Sequence, residues 1–144
     1  MFSKACQYGI KASVYIARQS SEGKRVSLKD IAANIDTPVA FTAKILHLLA
    51  KDHILSSMKG PTGGFYFEAG RTKEVMLSDI VSSIDGDNIY KGCALGFDTC
   101  DASRPCPMHY KFIDIRNNLK SMLENTSLYE LAHELVEEPT FLKR

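Results

Sequence analysis

Three cysteines and a histidine lie close together in the second half of the chain. Cys93, Cys100, Cys106 and His109 fall within seventeen residues, with six, five and two residues between successive members. Thiolate and imidazole groups bind iron–sulfur clusters, zinc and Cu(I), so this set indicates a metal or cluster site. The spacing lacks the close cysteine pair typical of structural zinc, and the segment is long enough to surround more than one ion.

Other interpretations of these residues stay open at this point. A zinc site of three cysteines and one histidine, a disulfide with one spare thiol, and an ordinary exposed His109 each fit the pattern. The fourth cysteine, Cys6, lies on the apolar face of the first predicted helix. We expect Cys6 to be a small core residue.

The composition is that of a globular chain with one core. Of the 144 residues, 44% are hydrophobic and 24% are charged, and a chain of this length needs neither disulfides nor metal to fold. Charges interrupt every apolar run before the roughly 20 residues that a membrane span requires, and no secretory signal follows the start. We therefore expect no membrane partner and a cytoplasmic protein, in which thiols remain reduced.

The near-neutral total charge hides an uneven distribution. Residues 1–76 hold eleven Lys and Arg against six Asp and Glu, a net charge of +5, whereas residues 77–144 hold seven against eleven, a net charge of −4. This asymmetry indicates a polyanion-binding surface in the first half, although solvated helix faces alone give the same count.

The first half is predicted to hold three helices. Apolar residues at helical spacing predict the first over 3–20, and the second begins at Leu28 after the capping residue Ser27. Thr37 is expected to cap the third helix, with Pro38 at its first position. The predicted buried stripe of the third helix is Phe41, Ile45, Leu48 and Leu49.

A small hairpin and further helices follow. Two short strands are expected around the glycine-rich turn at 60–64, and a helix over 77–84. Residues 85–106 are predicted to be irregular, since they contain glycines, a proline and three cysteines. A longer helix begins at Pro107, and a capped terminal helix runs through Leu135.

This order of elements is typical of a winged helix-turn-helix, so the fold is predicted to be mainly α with a small β-hairpin. The third helix then enters the DNA major groove, and its small residues and Lys44 meet base edges or phosphates. The glycine turn approaches the backbone or minor groove. The predicted DNA-contacting residues are Lys4, Tyr8, Lys29, Thr37, Val39, Ala40, Thr42, Ala43, Lys44, Lys59, Gly60, Thr62 and Gly63. Protein contacts through the same module, and burial of the Tyr8 ring against the hairpin, are the alternatives.

Several segments resemble one family of bacterial winged-helix transcription regulators. They are Cys-Gln-Tyr-Gly-Ile-Lys-Ala at 6–12, Lys-Gly-Pro-Thr-Gly-Gly-Phe-Tyr-Phe at 59–67 and the three-cysteine loop. The family includes the iron–sulfur cluster assembly regulator and the nitric-oxide-sensitive repressor, and the resemblance covers about residues 1–135. It implies a homodimer that binds a pseudo-palindromic DNA operator with an affinity that depends on an iron–sulfur cluster.

The resemblance also implies roles for particular parts of the chain. Cys93, Cys100 and Cys106 match the cluster ligands, whereas the helix at about 107–124 matches the dimerisation helix. Some members have a histidine at the position of His109, and others use a carboxylate of the partner's first helix near the position of Gln7. A glutamine supplies no carboxylate, which favours His109 or an exogenous fourth ligand. Whether the cluster is 2Fe-2S or 4Fe-4S stays open, and aerobic preparation is expected to remove it.

These observations predict three parts and a non-enzymatic function. Residues 1–84 form the DNA-binding domain, 85–106 the cluster loop, and 107–144 the dimerisation and C-terminal helices. The sequence contains no phosphate-binding glycine loop next to a strand and no redox Cys-x-x-Cys motif, so an enzyme is not expected. A zinc-stabilised protein-interaction module and an iron–sulfur electron carrier are the competing hypotheses.

Overall fold

The computed structural model describes residues 1–133 and 141–142. Helices α1 (Lys4–Ser21), α2 (Leu28–Asn34) and α3 (Val39–Lys51) are followed by the strands β1 (Ser56–Met58) and β2 (Gly64–Tyr66), and then by α4 (Arg71–Glu74), α5 (Leu77–Asp85), α6 (Asn88–Lys91), α7 (His109–Asn125) and α8 (Leu128–His133). The two strands pair antiparallel with Ser57 opposite Phe65. Residues 134 and 135 of the predicted terminal helix lie outside the described residues, as does most of the C-terminal tail. Within the described part, no helix is long and apolar enough to cross a membrane.

The start of α2 confirms the capping prediction, but the start of α3 does not. The backbone N–H of Asp30 donates to Ser27 Oγ over 3.2 Å, and α2 begins at Leu28. Pro38, not Thr37, is the residue before α3, and it provides no side-chain cap. The predicted Thr37 cap is wrong because the hydroxyl of Thr37 bonds to that of Thr42, 2.6 Å away.

The main core lies between α1, α2, α3 and α8. Its largest fully buried members include Ile16, Ile31, Leu46, Leu49 and Leu128. The predicted stripe of α3 is correct at Ile45 and Leu49, while Phe41 and Leu48 are half-buried. Leu46, which the sequence did not predict, is fully buried. Both α1 and α5 pack on α3, so the buried face of α3 is wider than one stripe.

The short helix α8 completes the main core. Ser127 and Glu130 form both arms of the predicted capping box, with distances of 3.1 and 3.0 Å between backbone nitrogens and side-chain oxygens. Leu128 and Ala132 are buried in the main core, and Arg18 Nε of α1 donates to the Ala132 carbonyl over 3.2 Å. Helix α8 therefore packs on α1 and the main core.

A second hydrophobic cluster joins α1, α5 and α7. Cys6, Leu77, Val81 and Leu123 are buried in it. Burial, reinforced by the nearby Asp85 carboxylate, raises the pKa of the Cys6 thiol to about 12. The prediction that Cys6 is a core residue is confirmed, and its thiol stays protonated.

The long helix begins two residues later than predicted. Pro107 and Met108 lie in a turn in which the His109 N–H donates to the Cys106 carbonyl over 3.0 Å. This turn connects the cysteine segment to α7. His109 is consequently the first residue of the helix, and its side chain is buried.

Two glycines of the hairpin provide a matched test of backbone crowding. Both have positive φ, +105° at Gly60 and +143° at Gly64, but a Cβ at Gly64 would lie 2.6 Å from the Val26 carbonyl oxygen, whereas Gly60 has open space. We expect Gly64→Ala to lower the free energy of unfolding by about 2–4 kcal/mol and Gly60→Ala by about 1 kcal/mol. Urea denaturation measures both, and equal losses would contradict the crowding argument.

Candidate functional site

The N-terminal half of α3 presents small side chains and one cation to solvent. Val39, Ala40 and Lys44 are exposed, and Ala43 is half-exposed. A helix with small residues can approach base edges closely, and a lysine can reach a guanine or a phosphate. This face therefore has the shape and charge that a recognition helix needs.

Thr42 does not belong to that face. Only 1% of its surface is exposed, and its hydroxyl bonds to the Pro38 carbonyl over 2.9 Å as well as to Thr37. The prediction that Thr42 lies on the exposed face is wrong. Thr42 lies on the side of α3 that faces the core, one turn before the buried Leu46. Its hydroxyl fixes the first turn of α3.

The first helix adds cations beside α3. Lys4 is exposed, and its Nζ lies 5.8 Å from the centroid of the Tyr8 ring. The Tyr8 ring packs edge-to-face on Phe41 at 5.6 Å, so it contacts α3. Lys11 Nζ lies 5.9 Å from the same ring, although no pattern in the sequence marks this lysine. Lys29, on α2, is exposed as expected.

The hairpin turn is exposed and shaped by glycine. Lys59, Gly60 and Thr62 are exposed, and the Gly63 N–H donates to the Gly60 carbonyl over 3.0 Å. A Cβ at Gly63 would lie 2.1 Å from the Met58 carbonyl oxygen, so a side chain there would open the turn. The turn can therefore bring its backbone and one lysine close to a flat polyanion.

The three cysteines and His109 surround one cavity. It has a volume of about 470 Å³ and is lined by Cys93, Cys100, Cys106 and His109 together with Phe97, Asp98, Thr99, Asp101, Arg104, Pro105 and Pro107. Cys100 Sγ lies 3.3 Å from His109 Nδ1. In the part of the chain that the structure describes, no three His, Cys, Asp or Glu side chains are close enough to hold a single metal ion.

Backbone amides make Cys93 a favourable thiolate position. The N–H groups of Leu95 and Phe97 point at its sulfur and lower the pKa of the Cys93 thiol from its ordinary value. Gly96, with a φ of +76°, allows the tight turn that aims them. Arg116 Nη1 of α7 donates to the carbonyl of the preceding Gly92 over 2.8 Å. The donor set, three accessible thiols and an imidazole around a cavity wider than one ion, fits an iron–sulfur cluster.

The order of helices, the hairpin and the exposed face of α3 define a winged-helix DNA-binding regulator. A model of the Rrf2 family, described as an iron-dependent transcriptional regulator, matches residues 2–134. The chain therefore belongs to the Rrf2 family, whose members are transcriptional regulators and not enzymes.

Individual relatives agree with this family. The chain is 28% identical over 128 residues to the HTH-type transcriptional regulator IscR of Xenorhabdus nematophila, covering 88% of this chain and 75% of the relative. The fold is similar to that of CymR (YrzC), the global cysteine regulator of B. subtilis, with a TM-score of 0.75 and 22% identity over 92% of this chain and 95% of CymR. It is also similar to IscR of T. potens, with a TM-score of 0.69 and 19% identity over 91% of this chain and 85% of that one.

The α3 surface yields a prediction about DNA reading. We expect Lys44→Ala to weaken binding to the operator about tenfold and, where Lys44 contacts a base, to relax sequence preference at one position. Fluorescence anisotropy measures both, with a duplex selected from random sequences by the wild-type protein and with its single-base variants. Unchanged affinity and base preference would remove Lys44 from the contact set.

Thr42→Val provides the matched control on the buried side of the same helix. It removes the hydroxyl without changing the shape, so stability should fall by about 1 kcal/mol while base preference stays unchanged.

Proposed function

We propose that this protein is a homodimeric transcription regulator whose affinity for a pseudo-palindromic operator changes with the state of an iron–sulfur cluster. Residues 1–84 bind DNA, 85–106 hold the cluster, and α7 within 107–144 forms the dimer. Cys93, Cys100 and Cys106 are the proposed cysteine ligands, with His109 as the fourth. The observation that carries the proposal is the single cavity that these four side chains line.

The geometry of the donors favours a cluster over one zinc ion. A structural zinc ion needs four donors about 2.0–2.3 Å away at one point, whereas these four donors are spread around a cavity of about 470 Å³. When bound, an iron–sulfur cluster supplies iron–thiolate bonds that oxidation or nitric oxide can change. The protein's part is to hold three thiols and an imidazole at the wall of the cavity.

Helix α6 connects the cavity to the domain core. Its Ile89 and Tyr90 pack against the second hydrophobic cluster, which includes Cys6 of α1 and Leu77 of α5. The chain then reaches Cys93 after two residues. A change in the position of Cys93 can therefore act on the second hydrophobic cluster, to which α1 contributes Cys6.

A charged hydrogen-bond network fixes α6 to α5. Asp87 accepts from Ser82 Oγ over 2.8 Å and from the Tyr90 hydroxyl over 3.0 Å, and it pairs with Lys91. The Lys91 bond, followed by the two hydroxyls, lowers the pKa of Asp87 to about 2. The carboxylate stays ionised at neutral pH, and its bond to Ser82 holds the start of α6 against α5.

The outer face of α7 supports the proposed dimer. Ile115 and Met122, seven residues apart, are 55% and 46% exposed, while Leu119 and Leu123 of the same helix pack against α5. Residues seven apart lie on one helix face, which is the spacing of a seam between two helices. A two-fold dimer through this seam carries two α3 helices, which explains the expected pseudo-palindromic operator.

The cluster prediction is tested by anaerobic reconstitution. We expect the wild-type protein to bind iron and sulfide and to absorb visible light, and we expect Cys93→Ser, Cys100→Ser and Cys106→Ser to lose both properties because each removes a thiolate ligand. His109→Ala should alter the absorption and release iron to a chelator faster. Elemental analysis and visible spectra are the measurements.

Cys6→Ala is the matched control because Cys6 is buried away from the cavity. It should retain the cluster. A protein that retains zinc without sulfide would contradict the cluster proposal, and so would operator binding that is identical in cluster-loaded and cluster-free samples.

The dimer prediction concerns α7. Ile115→Glu places a charge in the proposed seam, so we expect the protein to become a monomer and to bind the two-fold operator at least about tenfold more weakly. Light scattering after size-exclusion chromatography gives the mass. Asn117→Glu adds the same charge at an exposed position about 200° around the helix and should leave the dimer intact. Equal masses for both variants would contradict the seam.

A further inference from the structure

The base of the hairpin is joined by a third segment, the one that connects α1 to α2. The Val26 N–H donates to the Phe65 carbonyl over 3.1 Å, and the Phe65 N–H donates back to the Val26 carbonyl over 2.8 Å. Phe67 N–H donates to Ser20 Oγ over 2.9 Å. A two-stranded hairpin of three-residue strands is marginal alone, so this segment anchors it to the domain.

Arg25, directly before that pairing, lies along the hairpin. Its Cζ is 5.5 Å from the centroid of the Tyr66 ring. Its Nη1 contacts Met58 Sδ and lies 3.5 Å from the Thr62 carbonyl oxygen in the turn. The guanidinium therefore lies between Tyr66, the last residue of β2, and Thr62 in the hairpin turn.

Within the described residues, no carboxylate neutralises the charge of Arg25. Its neighbour Lys24 pairs with Glu22 at 2.8 Å, but no ion pair within residues 1–133 and 141–142 involves Arg25, which is exposed. A guanidinium has five N–H donors on three nitrogens, and the hydrogen bonds to Met58 and Thr62 use only Nη1. An exposed, stacked cation with unused donors is suited to a phosphate.

We propose that Arg25, in the segment paired with the hairpin, contacts a DNA phosphate, held in place by Tyr66 and acting together with Lys59 of the hairpin turn. The proposal rests on the proposed placement of the hairpin against DNA. Stacking on Tyr66 limits the rotamers of Arg25 before DNA arrives, so less conformational entropy is lost on binding. A lysine keeps the charge but loses the planar stack and the fork of donors.

Salt dependence distinguishes a phosphate contact from a purely structural role. Each neutralised phosphate contributes about 0.9 to the slope of log K against log salt concentration. We expect Arg25→Gln and Arg25→Ala to reduce that slope by about 0.9 and to weaken binding about tenfold at low salt. Arg25→Lys should retain the slope with weaker binding. The probe is a labelled duplex selected from random sequences by the wild-type protein.

Two neighbouring lysines provide the controls. Lys24→Ala removes an adjacent cation that is already paired, so the slope should stay that of wild type. Lys59→Ala removes the other cation of the hairpin and should lower the slope. Thermal melting of every variant shows whether the fold is intact.

Three results are decisive. A wild-type slope in Arg25→Gln overturns the proposal, even where affinity falls, because Arg25 then only positions the hairpin. When Lys59→Ala lowers the slope and Arg25→Gln does not, the hairpin still binds DNA and only the role of Arg25 fails. When neither variant changes the slope, the placement of the hairpin on DNA fails as well.

Discussion

Close packing of α1 on two sides is the constraint on which the rest of the structure depends. At Gly9 an added Cβ would lie 2.3 Å from Ile84 Cδ1 of α5 and 3.3 Å from Ile45 Cγ2 of α3. The absence of a side chain there lets α1 contact α5 and α3 in the same turn. Cys6 of α1 then lies in the second cluster and Ile16 in the main core, so one helix joins both.

This position gives α1 a direct connection to the cysteine segment as well as to the DNA-binding surface. The Ser3 N–H donates to Asp85 Oδ2 over 3.0 Å, which fastens the start of α1 to the end of α5, eight residues before Cys93. Lys4 follows Ser3 directly, and about one turn further along the Tyr8 ring packs on Phe41 of α3. In the proposed regulator, α1 is therefore the element through which the cysteine segment would act on the DNA-binding surface.

Local signals in the sequence predicted more of the fold than of the surfaces. Ser27 and Ser127 cap helices as expected because a cap depends on residues three positions apart. Thr42 was misplaced because the inward side of α3 is decided by α1 and α5, which are distant in sequence. Arg25 was missed for the same reason, since its contacts with Met58, Thr62 and Tyr66 lie more than thirty residues away.

The cysteine cavity was anticipated from residue types, but its independence from the core is visible only in three dimensions. Between residues 92 and 108, no described side chain belongs to either hydrophobic cluster, and the segment is held by contacts such as the Arg116 bond to Gly92. In a small metal-dependent domain, ligand binding and folding are one event. Here the two hydrophobic clusters of the described residues form without the four donors, so in the proposed regulator the binding of a cluster would act on residues 92–108 and not on the folding of the DNA-binding domain. A group that can be lost without unfolding the DNA-binding domain is what reversible sensing requires.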